Sequence, residues 1–374
     1  MSDQFISEIV LNNFRNYANA KFNFYSDFNI IAGPNGIGKT NLLEAISLFS
    51  NSKGIRKATT QELINLRNKT NNKNNNNNIQ LPNDILFSLF LKYTKNKDES
   101  KLLILQKEDK KLLKHNDDIL KKGSLLTNIL KITWLTPQMD SFFTGASADR
   151  RKFIDRTAEL LFSDHYDNVK RYEFFVKERM KILTTQTMND RWLDIVEKKI
   201  VQLGVSIASV RNDTVNYLNN IFENNTKNFP TGYILINGII ENMLVNSKAI
   251  EVEDLYLKTM FNNRSEDAIS KRTNFGIHKS DIIIMNKFKN MLASLCSTGE
   301  QKMLLISLIF VRAIFTKQLN NGIPILLLDE ICSHIDNNTR ELFFEELRNL
   351  NIQTFLTGTK KEDFLSLSNN FINI

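Results

Sequence analysis

The sequence predicts an α/β fold with a mixed or parallel sheet, a β-rich N-terminal lobe and an inserted helical arm. Three observations predict it. The first part of the chain alternates at period two. Residues 148–228 instead place apolar side chains at three- and four-residue steps. Two short, mainly apolar runs, Phe28–Ala32 and Ile323–Leu328, read as buried strands of the kind parallel sheets use. A β-rich start, a helical insertion and an α/β finish divide the chain into a split head, residues 1–147 and 229–374, and an arm, residues 148–228.

Taken in order, Phe5–Leu11 and Lys21–Tyr25 alternate as strands, and Phe28–Ala32 is an apolar strand that stops at a glycine. Asn41–Phe49 reads as a helix through Leu42, Leu43, Ile46 and Phe49. Strands are expected at Ile85–Tyr93, Lys101–Gln106 and Lys131–Leu135. Between them Asn68–Asn78 is low-complexity Asn and Lys with nothing to pack, and reads as a surface loop. In the arm, Trp192, Ile195, Val196, Ile200, Leu203, Ile207, Val210, Leu218 and Ile221 define a helix of about 45 Å, with Ser163–Leu183 as its partner. After Pro230-Thr231-Gly232, strands are expected at Tyr233–Ile236 and Asp281–Met285. A long helix at Ser297–Gln318 and the buried strand Ile323–Leu328 follow.

Composition bounds the class. The chain has 374 residues, 42% hydrophobic and 24% charged, which suffices for a core without disulfides or structural metal and excludes wholesale disorder. No apolar run approaches the ~18 residues of a membrane span, and Met1–Gln4 is polar, so neither a span nor a secretory signal is expected. Two cysteines, Cys296 and Cys332, without a CxxC, and four histidines argue against a zinc module or a disulfide scaffold. The expected location is the reducing cytoplasm. The formal charge of +8 suits a phosphate-bearing partner, but a chain this rich in Lys, Asn and Ile acquires the same excess from AT-rich coding bias. The clusters Lys53/Arg56/Lys57, Arg150/Arg151/Lys152 and Lys170/Arg171 are candidate phosphate contacts. Arg150 and Arg151 read equally well as buried salt-bridge partners.

The strongest motif is Gly33-Pro34-Asn35-Gly36-Ile37-Gly38-Lys39-Thr40, a full GxxxxGK[ST] between an expected strand and an expected helix. Its glycines let consecutive backbone N–H groups curl towards phosphate oxygens, and the helix N-terminus adds its positive end. Lys39 is placed to reach the β- and γ-phosphates and Thr40 to ligate Mg²⁺. Far downstream, Ile325-Leu326-Leu327-Leu328-Asp329-Glu330 is an apolar strand ending in two carboxylates. Asp329 suits the Mg²⁺ shell and Glu330 suits a general base for water. Between them, Ser297-Thr298-Gly299-Glu300-Gln301-Lys302 opens the long helix, and reads both as an N-cap with a capping box and as a phosphate contact.

With Ser333-His334-Ile335-Asp336 as a D-loop, this order of motifs resembles a P-loop ABC-type ATPase head of the SMC-like branch. Over nearly its whole length the chain resembles the RecF family of bacterial DNA repair proteins. The resemblance rests also on Leu11-Asn12-Asn13-Phe14-Arg15-Asn16-Tyr17 and on Pro137 to Asp155, with Asp140, Gly145, Arg150, Arg151, Phe153 and Asp155. Gly276-Ile277-His278-Lys279-Ser280-Asp281 is a further matching element. It implies ATP and Mg²⁺ as cofactors and a homodimer formed on ATP binding, in which Ser297 and Gly299 act in trans. It further implies Gln138 at the Mg²⁺ or its water, Asp336 at the dimer seam and Arg15 near the nucleotide. The implied activity is weak, DNA-dependent ATP hydrolysis. The implied partners are single- and double-stranded DNA at gaps, RecR and RecO, and RecA indirectly through its loading.

Two departures bear on the alternatives, a transporter nucleotide-binding subunit and a nuclease-coupled ATPase. Thr298 and Glu300 stand where the transporter signature has Gly and Gln, and no histidine follows the strand at Leu356-Thr357-Gly358-Thr359. The second departure implies slow hydrolysis, with Thr357 or Thr359 as the substitute. A nuclease domain is left without a segment to supply it, and an SMC protein is disfavoured by length. Neither His278 nor His334 has a partner at metal-ligand spacing.

Overall fold

The computed structural model describes residues 4–65, 84–108, 110–121, 123–185, 190–225, 229–319, 322–332 and 335–374; the expected loop at Asn68–Asn78 lies outside them. The chain divides into two compact units, residues 1–139 with 316–374, and residues 140–315.

In the first unit, β1 (Gln4–Phe14) and β2 (Tyr17–Asn23) form a hairpin, and β3 (Phe28–Ala32) leads through the glycine loop into α1 (Lys39–Ser47). A single helical turn, α2 (Thr60–Leu63), precedes β4 (Phe87–Lys95), β5 (Asp98–Gln106), β6 (Lys111–His115), β7 (Asp118–Ile119) and β8 (Leu130–Leu135). Six of these strands make one antiparallel sheet in the order β2-β1-β4-β5-β6-β7. Its inward residues, among them Ile9, Leu11, Leu89, Leu91 and Ile104, share a core with Leu42, Leu43, Ile46 and Phe49 of and just after α1. β4 turns into β5 over Asn96 and Lys97 (φ 53° and 75°), two left-handed residues whose twist matches that of the strands. The sequence reading had no strand at β6 or β7. Their Lys- and Asp-rich residues carry no alternating pattern, and pairing with β5 and then with each other is what orders them as an edge.

The second unit begins with α3 (Ser147–Ala158), α4 (His165–Thr184) and α5 (Asp190–Asn225). It continues with β9 (Gly232–Asn237), α6 (Ile239–Asn246), α7 (Ala249–Asn262), α8 (Arg264–Ser270), β10 (Asp281–Asn286) and β11 (Met291–Leu292), then enters α9 (Thr298–Gln318). The paired arm helices were expected. The three helices α6 to α8 were not, although Val252, Tyr256 and Met260, buried at four-residue steps, carry the signal. They pack with Val196, Ile200, Leu203 and Ile207 of α5 and Tyr172 of α4.

The expected break at residue 228 is therefore not where packing divides the chain, and residues 229–315 group with the arm. Buried ion pairs show why. Arg179 on α4 bonds Glu197 of α5 (2.8 Å), Asp267 of α8 (2.6 Å) and the Met260 carbonyl of α7 (2.9 Å). Arg211 on α5 forks onto Asp155 of α3 (2.8 and 2.9 Å) and reaches Glu241 of α6 (3.2 Å) and the Ile277 carbonyl (2.9 Å).

The chain returns to the first unit with β12 (Ile323–Leu328), α10 (Asn337–Leu350) and β13 (Gln353–Gly358). These complete a four-stranded, all-parallel sheet, β3-β13-β12-β8. The register Ala32↔Gly358, Leu356↔Leu328 and Leu328↔Leu135 aligns the carboxyl ends of all four strands, so the segments after them leave from one edge. The buried Gln353 amide ties this sheet to the antiparallel one, exchanging bonds of 2.8 Å with both backbone groups of Ile6. Among the described residues no helix is long and apolar enough to cross a membrane.

Burial raises the Asp155 carboxyl, but the Arg211 charge and the hydrogen bonds from His165 and Arg211 outweigh it and hold the group well below the usual carboxylate range. A carboxyl lowered on folding adds stability above its unfolded value near ~4 and loses it as pH falls. Urea unfolding should therefore show stability dropping between about pH 5 and about pH 3. Asp155→Asn should flatten that slope while costing about 3–5 kcal/mol at neutral pH, because Arg211 is left underpaired. An unchanged slope in the variant would contradict the pairing.

Candidate phosphate and metal site

The loop after β3 turns on Gly36 (φ 87°) and Gly38 (φ 120°), conformations that side-chain-bearing residues rarely adopt. α1 starts directly on Gly38, with no side-chain cap and no acidic residue in its first turn. Its first N–H groups and positive end are thus available to an anion. Lys39 is buried, and its ammonium donates to the carbonyls of Gly33 (2.7 Å) and Pro34 (3.0 Å) across the loop. The remaining members of the motif, Asn35 and Ile37, lie on the same turn, Asn35 with its Oδ1 3.5 Å from the Lys39 ammonium.

Asp329, just past β12, is brought to this loop. The Thr40 hydroxyl donates to both of its carboxylate oxygens (3.0 and 3.1 Å), and its backbone N–H is held by the Leu135 carbonyl of β8 (2.9 Å). From the other side the buried Thr357 hydroxyl donates to Asp329 Oδ1 at 2.7 Å and accepts the Glu330 N–H at 2.9 Å. Glu330 itself is left-handed (φ 51°), a strained state for a residue with a side chain, of the kind concentrated at functional sites. Gly358, next along β13, receives the Gly33 N–H at 3.1 Å. The end of β13 thus anchors both the phosphate loop and the carboxylate pair.

A hydroxyl and a carboxylate facing each other are hard oxygen donors, and suit Mg²⁺, which takes one or two protein ligands and fills its shell with phosphate oxygens and water. Among the described residues no group of three or more His, Cys, Asp or Glu side chains converges elsewhere to offer an all-protein cage. His278 is engaged by the Tyr172 hydroxyl (2.8 Å) and the Thr273 carbonyl (2.8 Å).

The other expected residues fall in varied settings. Gln138 is exposed on the 3-10 turn Pro137–Ser141 that follows β8, at the edge where Asp329 also sits. Arg15, expected near nucleotide, commits Nε and Nη2 to the buried Glu44 of α1 (2.8 and 2.9 Å), a bidentate pair that braces the helix. Ser333 and His334 of the expected D-loop lie outside the described residues, and exposed Asp336 caps α10 by accepting from the Thr339 N–H (3.0 Å). Ser297 and Gly299 are exposed at the start of α9, where a Cβ on Gly299 meets nothing within 4 Å. Glu300 there accepts the Ser297 N–H (3.1 Å) and pairs with Lys289.

Of the basic clusters, Arg150 is buried on Asp281 (2.8 and 2.9 Å), and Arg151 donates to the Ser280 carbonyl (2.5 Å). Both brace the second unit: of the two readings the sequence leaves open, Arg150 takes the buried salt bridge, and Arg151 bonds the backbone. Lys53, Arg56, Lys57, Lys152, Lys170 and Arg171 are exposed. Sequence reasoning missed Glu44, whose fully buried charge pairs with an arginine 29 positions earlier. It also left Thr357 level with Thr359; Thr357 bonds the Asp329 carboxylate and the Glu330 N–H, and Thr359 is exposed.

Known proteins resemble this chain over nearly its whole length. Residues 5–374 match the family described as the RecF/RecN/SMC N terminal domain. The chain is 32% identical over 369 residues to the DNA replication and repair protein RecF of Rickettsia felis, covering 99% of this chain and 97% of that one. It is 33% identical over 362 residues to the protein of that name from Rickettsia conorii, covering 97% and 96%. Among solved structures, the recombination mediator protein RecF-ATP superposes with a TM-score of 0.81 at 22% identity, over 96% of this chain and 93% of that one. The Smc head domain from Pyrococcus furiosus gives 0.52 at 15%, over 98% and 92%. At these identities the structural likeness shows the fold.

Thr357→Val keeps the shape of the side chain but removes the acceptor for the Glu330 N–H and a donor to Asp329. Unfolding free energy should fall by about 1–3 kcal/mol, the usual cost of stranding a buried polar group. Unchanged stability would show that these two bonds do not hold the turn after β12.

Proposed function

Because the chain belongs to the RecF family, within the wider RecF/RecN/SMC group, we propose that it is an ATP-dependent DNA-binding protein of replication and recombinational repair. The observation that carries this reading is the meeting of Thr40 and Asp329, residues 289 positions apart, at the mouth of an uncapped phosphate loop.

On this reading the loop N–H groups and Lys39 bind the triphosphate of ATP, Lys39 exchanging its loop carbonyls for phosphate oxygens. Thr40 and Asp329 would hold Mg²⁺, with Gln138 at its water, and the ion would supply positive charge to offset that of the phosphates. Glu330 takes a proton from water as the water oxygen bonds to the γ-phosphorus. The bond from that phosphorus to the β-γ bridging oxygen breaks, and ADP and phosphate leave. Thr357 keeps Glu330 beside Asp329 in place of a switch histidine, consistent with slow turnover.

The exposed Ser297 and Gly299 would complete the site of a second copy, with Asp336 at the seam. A second triphosphate-bound site forms reciprocally, so ATP favours the homodimer because it contributes those contacts only there. The dimer would grip single- and double-stranded DNA at gaps on exposed lysines and arginines such as Lys53, Arg56, Lys170 and Arg171, and hydrolysis would release it. RecR and RecO as co-workers, RecA loading as the outcome, DNA-stimulated hydrolysis and a cytoplasmic location belong to the same proposal.

Two variants test it. Glu330→Gln should lower ATP turnover at least about 100-fold, within the usual worth of general-base catalysis, while nucleotide binding persists. Parental turnover would remove Glu330 from the base role. Lys39→Ala should abolish ATP-dependent retention of DNA in a filter or polarisation assay, and undiminished retention would show that DNA binding does not run on nucleotide.

A further inference from the structure

Two side chains outside the glycine loop bond directly to its backbone. β1 and β2 are joined through Arg15 and Asn16, with Phe14 opposite Tyr17. From this turn Asn16 Nδ2 donates to the Ile37 carbonyl at 2.9 Å, and the Tyr17 hydroxyl donates to the Gly38 carbonyl at 3.2 Å. The oxygen of Asn16 is taken by Asn41 Nδ2 at 2.7 Å, and the oxygen of Asn41 by Arg56 Nη1 at 3.0 Å. The amide of Asn16 therefore turns its NH₂ to the loop. The Gly38 carbonyl also accepts the Leu42 N–H of α1 at 3.1 Å, so it is held from two sides.

A trans peptide is planar, with its C=O and N–H on opposite sides. Holding the Ile37 carbonyl against the hairpin turns the Gly38 N–H away from it. Holding the Gly38 carbonyl does the same to the Lys39 N–H. The hairpin lies so close that a Cβ on Gly38 would stand 2.6 Å from Asn16 Nδ2 and 2.7 Å from the Tyr17 hydroxyl. Gly38 is thus required by its neighbour as well as by its φ. The Tyr17 ring is buried edge-on to Phe22 (5.6 Å), and burial pushes its hydroxyl above the usual range, which keeps it a neutral donor.

We propose that Asn16 and Tyr17 are positioning residues for polyphosphate binding, fixing two consecutive loop peptides so that the N–H groups of Gly38 and Lys39 are aimed before the ligand arrives. This rests on the reading of the loop as a triphosphate site. Donors already oriented lose less freedom on binding, so the effect lies in affinity.

The test is calorimetric titration of the full chain with MgATP and with magnesium tripolyphosphate, which has no nucleoside. Tyr17→Phe and Asn16→Leu should each raise Kd about 3- to 10-fold, the worth of one net hydrogen bond, by the same factor for both probes. Turnover at saturating ATP should stay within about 2-fold, a split that general loss of structure does not give. Tyr17→Phe keeps the ring packing and carries the test alone if Asn16→Leu does not fold. Parental Kd values in the variants would overturn the proposal, as would a loss seen with ATP but not with tripolyphosphate. A parental chain that binds neither probe would instead overturn the reading of the loop.

Discussion

The structure of the site depends on one carboxylate reached by two hydroxyls. Asp329 leaves the end of β12 with Thr40 on one side and Thr357 on the other, and those two threonines belong to different neighbouring segments of the first unit. These bonds join the start of α1 to the turn after β12, in addition to the backbone bonds and the Asn16 and Tyr17 contacts that hold each segment separately. The parallel sheet supplies the coarse alignment, because its register brings four carboxyl ends to one edge. The hydroxyls supply the fine alignment. Thr357 does so twice, since the oxygen that donates to Asp329 also accepts the backbone of Glu330 and holds that residue in a conformation it would not otherwise favour.

The second unit is organised by different physics. Its helices are crossed by buried arginines, and Arg179 and Arg211 each satisfy partners on at least three other segments. Such charges contribute modestly to net stability, because desolvation offsets much of the attraction, but removing one partner is costly. They tie residues on both sides of position 228 into one body. Arg150, paired with Asp281, belongs to that pattern; the sequence left it open between phosphate contact and salt bridge because it shows charge without showing what faces it.

Much of the fold was legible because its signals are local. Phe28–Ala32 and Ile323–Leu328 read as buried strands from their mainly apolar runs, and both are strands of the parallel sheet. The glycine loop was legible to the residue. What sequence does not show is partnership at a distance. Lys111–His115 becomes a strand because β5 offers it hydrogen bonds, not because its own pattern requires it. Nothing in the sequence pairs Arg15 with Glu44, 29 positions on. Thr357 and Thr359 are equivalent by composition, and strand alternation would put both on one face; because β13 ends at Gly358, Thr357 stays in the strand against Asp329 while Thr359, past its end, is exposed.

The central claim is that ATP joins two copies of this chain through sites each of which is incomplete alone. Sedimentation velocity of the unmodified protein with and without MgATP, at concentrations where the nucleotide-free chain is a single subunit, tests it most directly. The account predicts that saturating MgATP doubles the sedimenting mass, and that exchange for MgADP returns it to one subunit. A mass of one subunit at every MgATP concentration, with nucleotide demonstrably bound, would contradict it.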